Sequence, residues 1–258
     1  GKLFMAGVVP GLLLAALFIV YVVYKSKHGG YISEPKAPWK ERMSITIKNL
    51  PGIFLPLLII GGIYTGIFTP TEAAAVGLVY SLFITLFVYR TVKFADIPKI
   101  CMKAVPSSCM IAIIICGALL FGRVMTYLRI PQALTAFVVD NKLSAATFII
   151  IMNLLMFVLG ALLETVSVVL LTMPLVTPIL HALGVNTIWY GVLVTINMTM
   201  ALISPPVGMN LYVINGLFPN VKMQEVIKGV IPFAAIIIVL LIIAGLVPQL
   251  SLWLPSLM

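Results

Sequence analysis

The chain has 258 residues, 62% of them apolar and 9% charged, against about 45–50% and about 25% in ordinary soluble domains. Its mean hydropathy is +1.20, and sixteen Lys and Arg with seven Asp and Glu cannot coat a globule of this size, so a soluble fold is excluded and lipid is the solvent that fits. The net charge of +9 does not point to nucleic acid: segments 25–48 and 90–103 carry +4 and +3 of it, and they flank apolar runs as the positive-inside rule describes, with no basic, aromatic-laced soluble face.

Gly1 opens the chain with no methionine, basic n-region or small-residue cleavage site, so the sequence reads as starting inside a longer protein and not with a signal peptide. A membrane helix needs about 20 apolar residues, which places a first span over 3–24. Segment 25–48, with Gly29-Gly30, Pro35 and Pro38, reads as a surface loop or an amphipathic connecting helix, the one substantial extramembrane piece. Run 53–89 is too long for one helix and is broken at Thr69-Pro70-Thr71-Glu72. With basic segments on both flanks it crosses twice, and that turn lies on the far face. The next span covers 104–121, followed by a stretch with Arg123, Arg129, Pro131, Asp140 and Lys142 that reads as surface. Run 145–183 holds about twice one span, interrupted by Gly160, Glu164, Thr165 and Ser167 and again by Pro174 and Pro178. Run 188–218 is interrupted at Ser204-Pro205-Pro206, and a last span covers 230–254. Nothing alternates as membrane-barrel strands do. The fold class is an all-α polytopic membrane protein.

Cys101, Cys109 and Cys116 form no CxxC and have no His at ligand spacing, so they read as small packing residues. The sequence has no HExxH, no GxSxG and no Gly-rich phosphate loop, and an enzyme is not expected. Two acids lie inside apolar runs, Glu72 and Glu164, each beside hydroxyl residues and a helix breaker. A carboxylate in hydrocarbon costs several kcal/mol, so such a residue faces a bundle interior, a cavity or a cation. Glu72, next to Pro70, also fits a structural role in the first turn of a helix capped by Thr69 or Thr71.

The second signal is Ser204-Pro205-Pro206-Val207-Gly208-Met209-Asn210. Two successive prolines remove two backbone donors and force an extended backbone before them, so the preceding helix ends. The freed carbonyls are tolerated in lipid only against protein or a watery cavity, and together with Ser, Thr and Asn oxygens they make a site for a hard cation such as Na⁺. Gly208 permits close approach, and Asn210 offers both donor and acceptor.

The stretch Gly61-Gly62-Ile63-Tyr64-Thr65-Gly66-Ile67-Phe68-Thr69-Pro70-Thr71-Glu72-Ala73-Ala74-Ala75, the stretch Ser204 to Leu211, and Gly1 to Gly7 with Pro10-Gly11 resemble the large membrane (M) subunit of tripartite ATP-independent periplasmic (TRAP) transporters. That family usually has Thr-Pro-Pro where this chain has Ser204-Pro205-Pro206, and often Asp in place of Glu164; both exchanges keep the oxygen. The resemblance implies an elevator-type secondary transporter of two inverted repeats, each with a re-entrant hairpin and a broken helix. Residues 1–49 then hold the last helix of the first repeat and a connecting segment. Residues 50–258 hold the second repeat, with its hairpin over about 160–178 and its broken helix over about 194–216, while the first hairpin lies upstream of Gly1.

The resemblance also implies an inner-membrane symporter that is coupled to Na⁺, needs no organic cofactor and carries an organic anion such as a C4-dicarboxylate or sialic acid. Its partners are a small membrane (Q) subunit, a periplasmic substrate-binding protein and the N-terminal part of the same subunit. The ion-binding candidates are Gly160, Glu164, Thr165, Ser167, Ile203, Ser204, Pro205 and Gly208. Candidates for the substrate are Ser204, Pro206 and Asn210. Proton coupling through Glu164 and Glu72, or a scaffold that only docks partners, are the alternatives.

Overall fold

A computed structural model describes residues 1–29, 37–218 and 221–257. The helices are α1 Lys2–His28, α2 Trp39–Tyr64, α3 Pro70–Phe83 with a π-helical extension Ile84–Val88, α4 Ile97–Tyr127, α5 Ile130–Asp140, α6 Ala145–Leu162, α7 Thr165–Ala182, α8 Thr187–Leu202, α9 Met209–Leu217, α10 Met223–Leu246 and the short α11 Gln249–Leu252. Among the described residues there is no strand. Among the described residues seven helical segments are long and apolar enough to cross a membrane, so the chain is an all-α polytopic membrane protein.

The described residues form two compact units. In the unit of residues 25–110, α2 and α3 pack antiparallel. The Tyr80 hydroxyl donates to Pro51 O at 3.0 Å, and Gly52 N–H donates to the Tyr89 hydroxyl at 3.2 Å. Gly77 allows the approach, since a Cβ there would stand 2.9 Å from Ile59. Thr69 is the N-cap of α3, and Glu72 closes a capping box: Glu72 Oε2 accepts the Thr69 N–H and hydroxyl at 2.8 Å each, and Thr69 Oγ1 accepts the Glu72 N–H at 3.3 Å. Glu72 therefore serves the helix start. The turn over 65–69 lies at one end of this pair; toward the other end the α3 extension finishes at Val88, near Gly52, while α2 continues about three and a half turns farther to Trp39.

In the unit of residues 2–24 and 111–257, the core is built from α6, α7, α8 and α10. Met156, Val168, Leu180, Tyr190, Leu193 and Leu240 are fully enclosed. Leu13, Leu14 and Phe18 of α1 cover this core, and Phe18 and Tyr21 each meet the Phe233 ring edge-on at 5.2 Å.

Several expectations shift. Pro174 and Pro178 do not interrupt α7, which runs unbroken through both, because a membrane helix surrounded by other helices tolerates the loss of one backbone bond. The span drawn over 104–121 is the 31-residue α4; its lysines, Lys99 and Lys103, sit in the first turns, where a helix continues past the hydrocarbon. In the stretch from Arg123 to Lys142 the four charged residues Arg123, Arg129, Asp140 and Lys142 are exposed, but the chain there is largely helical: α4 continues to Tyr127, Arg129 turns the chain at φ 55°, and α5 packs on α7 with Pro131 and Val138 buried. Cys101, Cys109 and Cys116 are exposed along α4 and are not packing residues. In segment 25–48, α1 extends to His28 and α2 already starts at Trp39; residues 30–36, on which the connecting-segment reading rests, lie outside the described residues.

Candidate functional site

The interruption at Glu164 is a two-residue turn. Leu163 is extended (φ −115°, ψ 165°) and ends α6; Glu164 (φ −66°, ψ 133°) is the N-cap of α7. Its Oε2 accepts the Ser167 N–H at 2.9 Å and the Ser167 hydroxyl at 3.3 Å. Glutamate is outside the usual N-cap set of Ser, Thr, Asp and Asn, so the carboxylate bends back to do what a shorter side chain does more directly. Oε1 has no hydrogen bond among the described residues. Thr165 Oγ1 is buried and has no partner among the described residues, an unusual state for a hydroxyl inside a membrane protein.

The second interruption is longer. The α8 helix ends at Leu202 and α9 begins at Met209. The Ile203 N–H and the Ser204 hydroxyl both donate to Met200 O, at 3.2 and 2.8 Å, and the Ser204 N–H donates to Ala201 O at 3.2 Å. Pro205 and Pro206 have no N–H to give, and their shared peptide bond is cis. Among the described residues the carbonyls of Leu202, Ile203 and Ser204 accept no backbone hydrogen bond. Ser204 and Gly208 are buried, while Pro205, Pro206 and Val207 are exposed. Gly208 has φ +51°, and a Cβ on it would stand 3.0 Å from the Ser204 carbonyl oxygen. Only glycine therefore lets the chain re-enter a helix at this point.

The two interruptions lie at the same end of the unit. Gly160, two residues before the end of α6, packs against the last turn of α8: a Cβ at Gly160 would meet Ala201 Cβ and Met198 Sδ at 3.0 Å. Farther back, Asn197 Nδ2 donates to Asn153 O at 2.6 Å. These contacts advance along both helices together, so α6 and α8 run in the same sense and both C-termini finish beside the interruptions. The α7 and α9 N-termini start from them. Helix C-termini with carbonyl dipoles suit a cation, and helix N-termini with free N–H groups suit an anion.

Of the sequence candidates, Gly160, Glu164, Thr165, Ser167, Ile203, Ser204, Pro205 and Gly208 are thus drawn to one end of this unit. Pro206 and Asn210 are at the same interruption but exposed, and among the described residues no hydrogen bond holds the Asn210 amide. Sequence reasoning passed over Asn215, whose Oδ1 is buried on α9 without a partner among the described residues, and the buried amide Asn197 with its acceptor at Asn153 O. The signal available for all three was a lone carboxamide inside an apolar run. No group of three or more His, Cys, Asp or Glu able to hold a metal occurs among the described residues; the polar atoms gathered here are hydroxyl, carbonyl and carboxylate oxygens, the donor type that hard cations take.

Residues 1–250 match the family described as "Tripartite ATP-independent periplasmic transporter, DctM component". The chain is 37% identical over 256 residues to the C4-dicarboxylate TRAP transporter large permease protein of Pseudomonas aeruginosa, covering 99% of this chain and 60% of that protein. It is 38% identical over 258 residues to the namesake of Rhodobacter capsulatus, covering 100% and 58%. It is 31% identical over 257 residues to the sialic acid TRAP transporter large permease protein of Vibrio cholerae, covering 100% and 60%. The chain spans about 60% of the length of these relatives.

Proposed function

Because the chain belongs to the DctM component family of tripartite ATP-independent periplasmic transporters, multi-pass proteins of the inner membrane, we propose that it is the permease part of a Na⁺-coupled, binding-protein-dependent organic-anion symporter. The observation that supports this reading is the meeting of two interrupted helical segments at one end of one unit. The Leu202, Ile203 and Ser204 carbonyls and the Ser204 hydroxyl stand at one interruption and Thr165 Oγ1 and Glu164 Oε1 at the other; among the described residues the three carbonyls, Thr165 Oγ1 and Glu164 Oε1 have no hydrogen-bond partner.

In this reading the oxygens replace the hydration shell of Na⁺, as unwound carbonyls do in other secondary transporters. The first N–H groups of α9, capped by no side chain, and the Asn210 amide receive a substrate carboxylate. Ion and anion each lower the other's electrostatic cost, so their binding is cooperative and reciprocal. The relatives' names point to a C4-dicarboxylate or sialic acid as the anion. The working assembly includes the remainder of the large subunit, a small membrane subunit and a periplasmic binding protein, and residues 50–258 act as the second of two inverted repeats whose hairpin and broken helix move together as an elevator.

The test is uptake into proteoliposomes holding the full-length permease, its small subunit and the loaded binding protein. A Na⁺ gradient at constant pH is expected to drive accumulation, and a pH gradient without Na⁺ to drive none. The opposite pattern transfers the coupling to protonation of Glu164 or Glu72.

A further inference from the structure

Ligand distances in a metal site hold to within about 0.2 Å, yet the oxygens assigned above come from two segments joined only through helix packing. The α6–α7 turn brings Glu164 and Thr165, and the end of α8 brings the carbonyls of 202–204. Whatever fixes α6 on α8 along their common direction therefore fixes the distances between the two sets of oxygens. Apolar contacts do this poorly, since they change little when one helix slides past another, whereas a hydrogen bond is directional.

Among the described residues the side-chain hydrogen bonds from α8 to α6 are two. The Tyr190 hydroxyl reaches Met156 Sδ at 3.9 Å, a weak acceptor at long range. Asn197 Nδ2 donates to Asn153 O at 2.6 Å, from a side chain only 1% exposed. Asn197 lies six residues before Ile203, about 9 Å down the axis of α8, far enough to touch neither ion nor substrate. The close approach of Gly160 to Ala201 supplies the stop on the other side of the same seam: there is no room to move α6 closer, and the amide prevents it from sliding.

We infer that Asn197 is a positioning residue: its bond to the Asn153 carbonyl sets the register of α6 on α8 and thereby the Na⁺ affinity of the site. The inference rests on the Na⁺-coupled reading, and its test separates the two. In proteoliposomes with the complete transporter, Na⁺ dependence of uptake is compared for the parent, Asn197→Leu, Gly160→Ala and Ser204→Ala. Leucine keeps the volume and removes the bond. Gly160→Ala keeps every hydrogen-bonding group and asks α6 to shift by a few tenths of an ångström, so it carries the test even if Asn197→Leu fails to reach the membrane.

The Na⁺ concentration for half-maximal uptake is expected to rise about three- to twentyfold in Asn197→Leu, the range an interhelical hydrogen bond in a membrane is worth. The maximal rate per folded transporter should stay within about twofold, because the ligands themselves are intact. The double variant Asn197→Leu/Gly160→Ala should shift less than the product of the single effects, as two perturbations of one register do. A purely structural amide lowers yield or maximal rate and leaves the half-maximal Na⁺ concentration where it was. That result in Asn197→Leu and Gly160→Ala, with Ser204→Ala still shifted, overturns the inference and leaves the Na⁺ site standing. A parent with no Na⁺ dependence overturns both.

Discussion

Glu164 caps α7 and is also a proposed ion ligand, and a short series of substitutions separates the two roles. One oxygen, Oε2, caps α7 through the Ser167 N–H and hydroxyl; the other, Oε1, has no hydrogen bond among the described residues. Glu164→Ala removes both functions. The lost cap costs about 1 kcal/mol, which lowers the thermal midpoint of the purified protein by roughly 2–4 °C. Glu164→Ser restores the cap, since serine is among the preferred N-cap residues, but leaves no carboxylate for the ion. If Oε1 is a ligand, Glu164→Ser regains the parent midpoint while half-maximal uptake needs about ten- to a hundredfold more Na⁺, the equivalent of one charged partner worth about 1.5–3 kcal/mol. Glu164→Asp keeps a cap and a carboxylate, and is expected to stay close to the parent in both measurements. The assay is a melt of detergent-solubilised protein beside Na⁺ titration of uptake. A serine variant that recovers midpoint and Na⁺ dependence together refutes the ligand assignment and leaves Glu164 as a cap alone.

Glu72→Gln breaks the capping box of α3, where the carboxylate accepts two bonds from Thr69, and is expected to reduce folded yield with Na⁺ dependence unchanged; size-exclusion yield and uptake decide, and normal yield with altered Na⁺ dependence contradicts the structural role. Gly208→Ala must place a methyl group at φ +51° and 3.0 Å from the Ser204 carbonyl; the left-handed backbone alone costs about 1–2 kcal/mol, so the midpoint should fall by roughly 2–8 °C and Na⁺ dependence should weaken, because the displaced carbonyl is one of the proposed ligands. The basic segments 25–48 and 90–103 are expected on the cytoplasmic side; single cysteines at Ser33 and Lys99, introduced in a background free of the native cysteines, should resist a membrane-impermeant maleimide in intact cells and react after permeabilisation, and strong labelling in intact cells reverses the orientation.

The linear chain determined a good deal by itself. Apolar runs near the length of a bilayer, interrupted by charge or Pro, define most of the spans, because hydrocarbon forces every backbone group into a helix. Thr69-Pro70-Thr71-Glu72 specifies its own capping box, since N-cap and N3 are three residues apart and need no help from elsewhere. Ser204-Pro205-Pro206 specifies its own helix break, since proline removes the donors whatever surrounds it.

Tertiary structure decided the rest. Pro174 and Pro178 look on paper as disruptive as Pro205 and Pro206, yet α7 continues through them. Isolated prolines four apart each remove one bond of a helix held by its neighbours, whereas an adjacent pair removes two in succession. Glu164 read as an ion ligand or an orienting residue; that one of its oxygens caps α7 depends on where the Leu163 backbone turns. Asn153 and Asn197 are 44 positions apart in sequence, and no local pattern marks them as partners. Their meeting follows from α6 and α8 running side by side, with Gly160 admitting Ala201 at van der Waals limit. Periodicity and breakers act within a few residues and are legible in order along the chain, while the pairing of one helix with another depends on shapes that come together only when the bundle is packed.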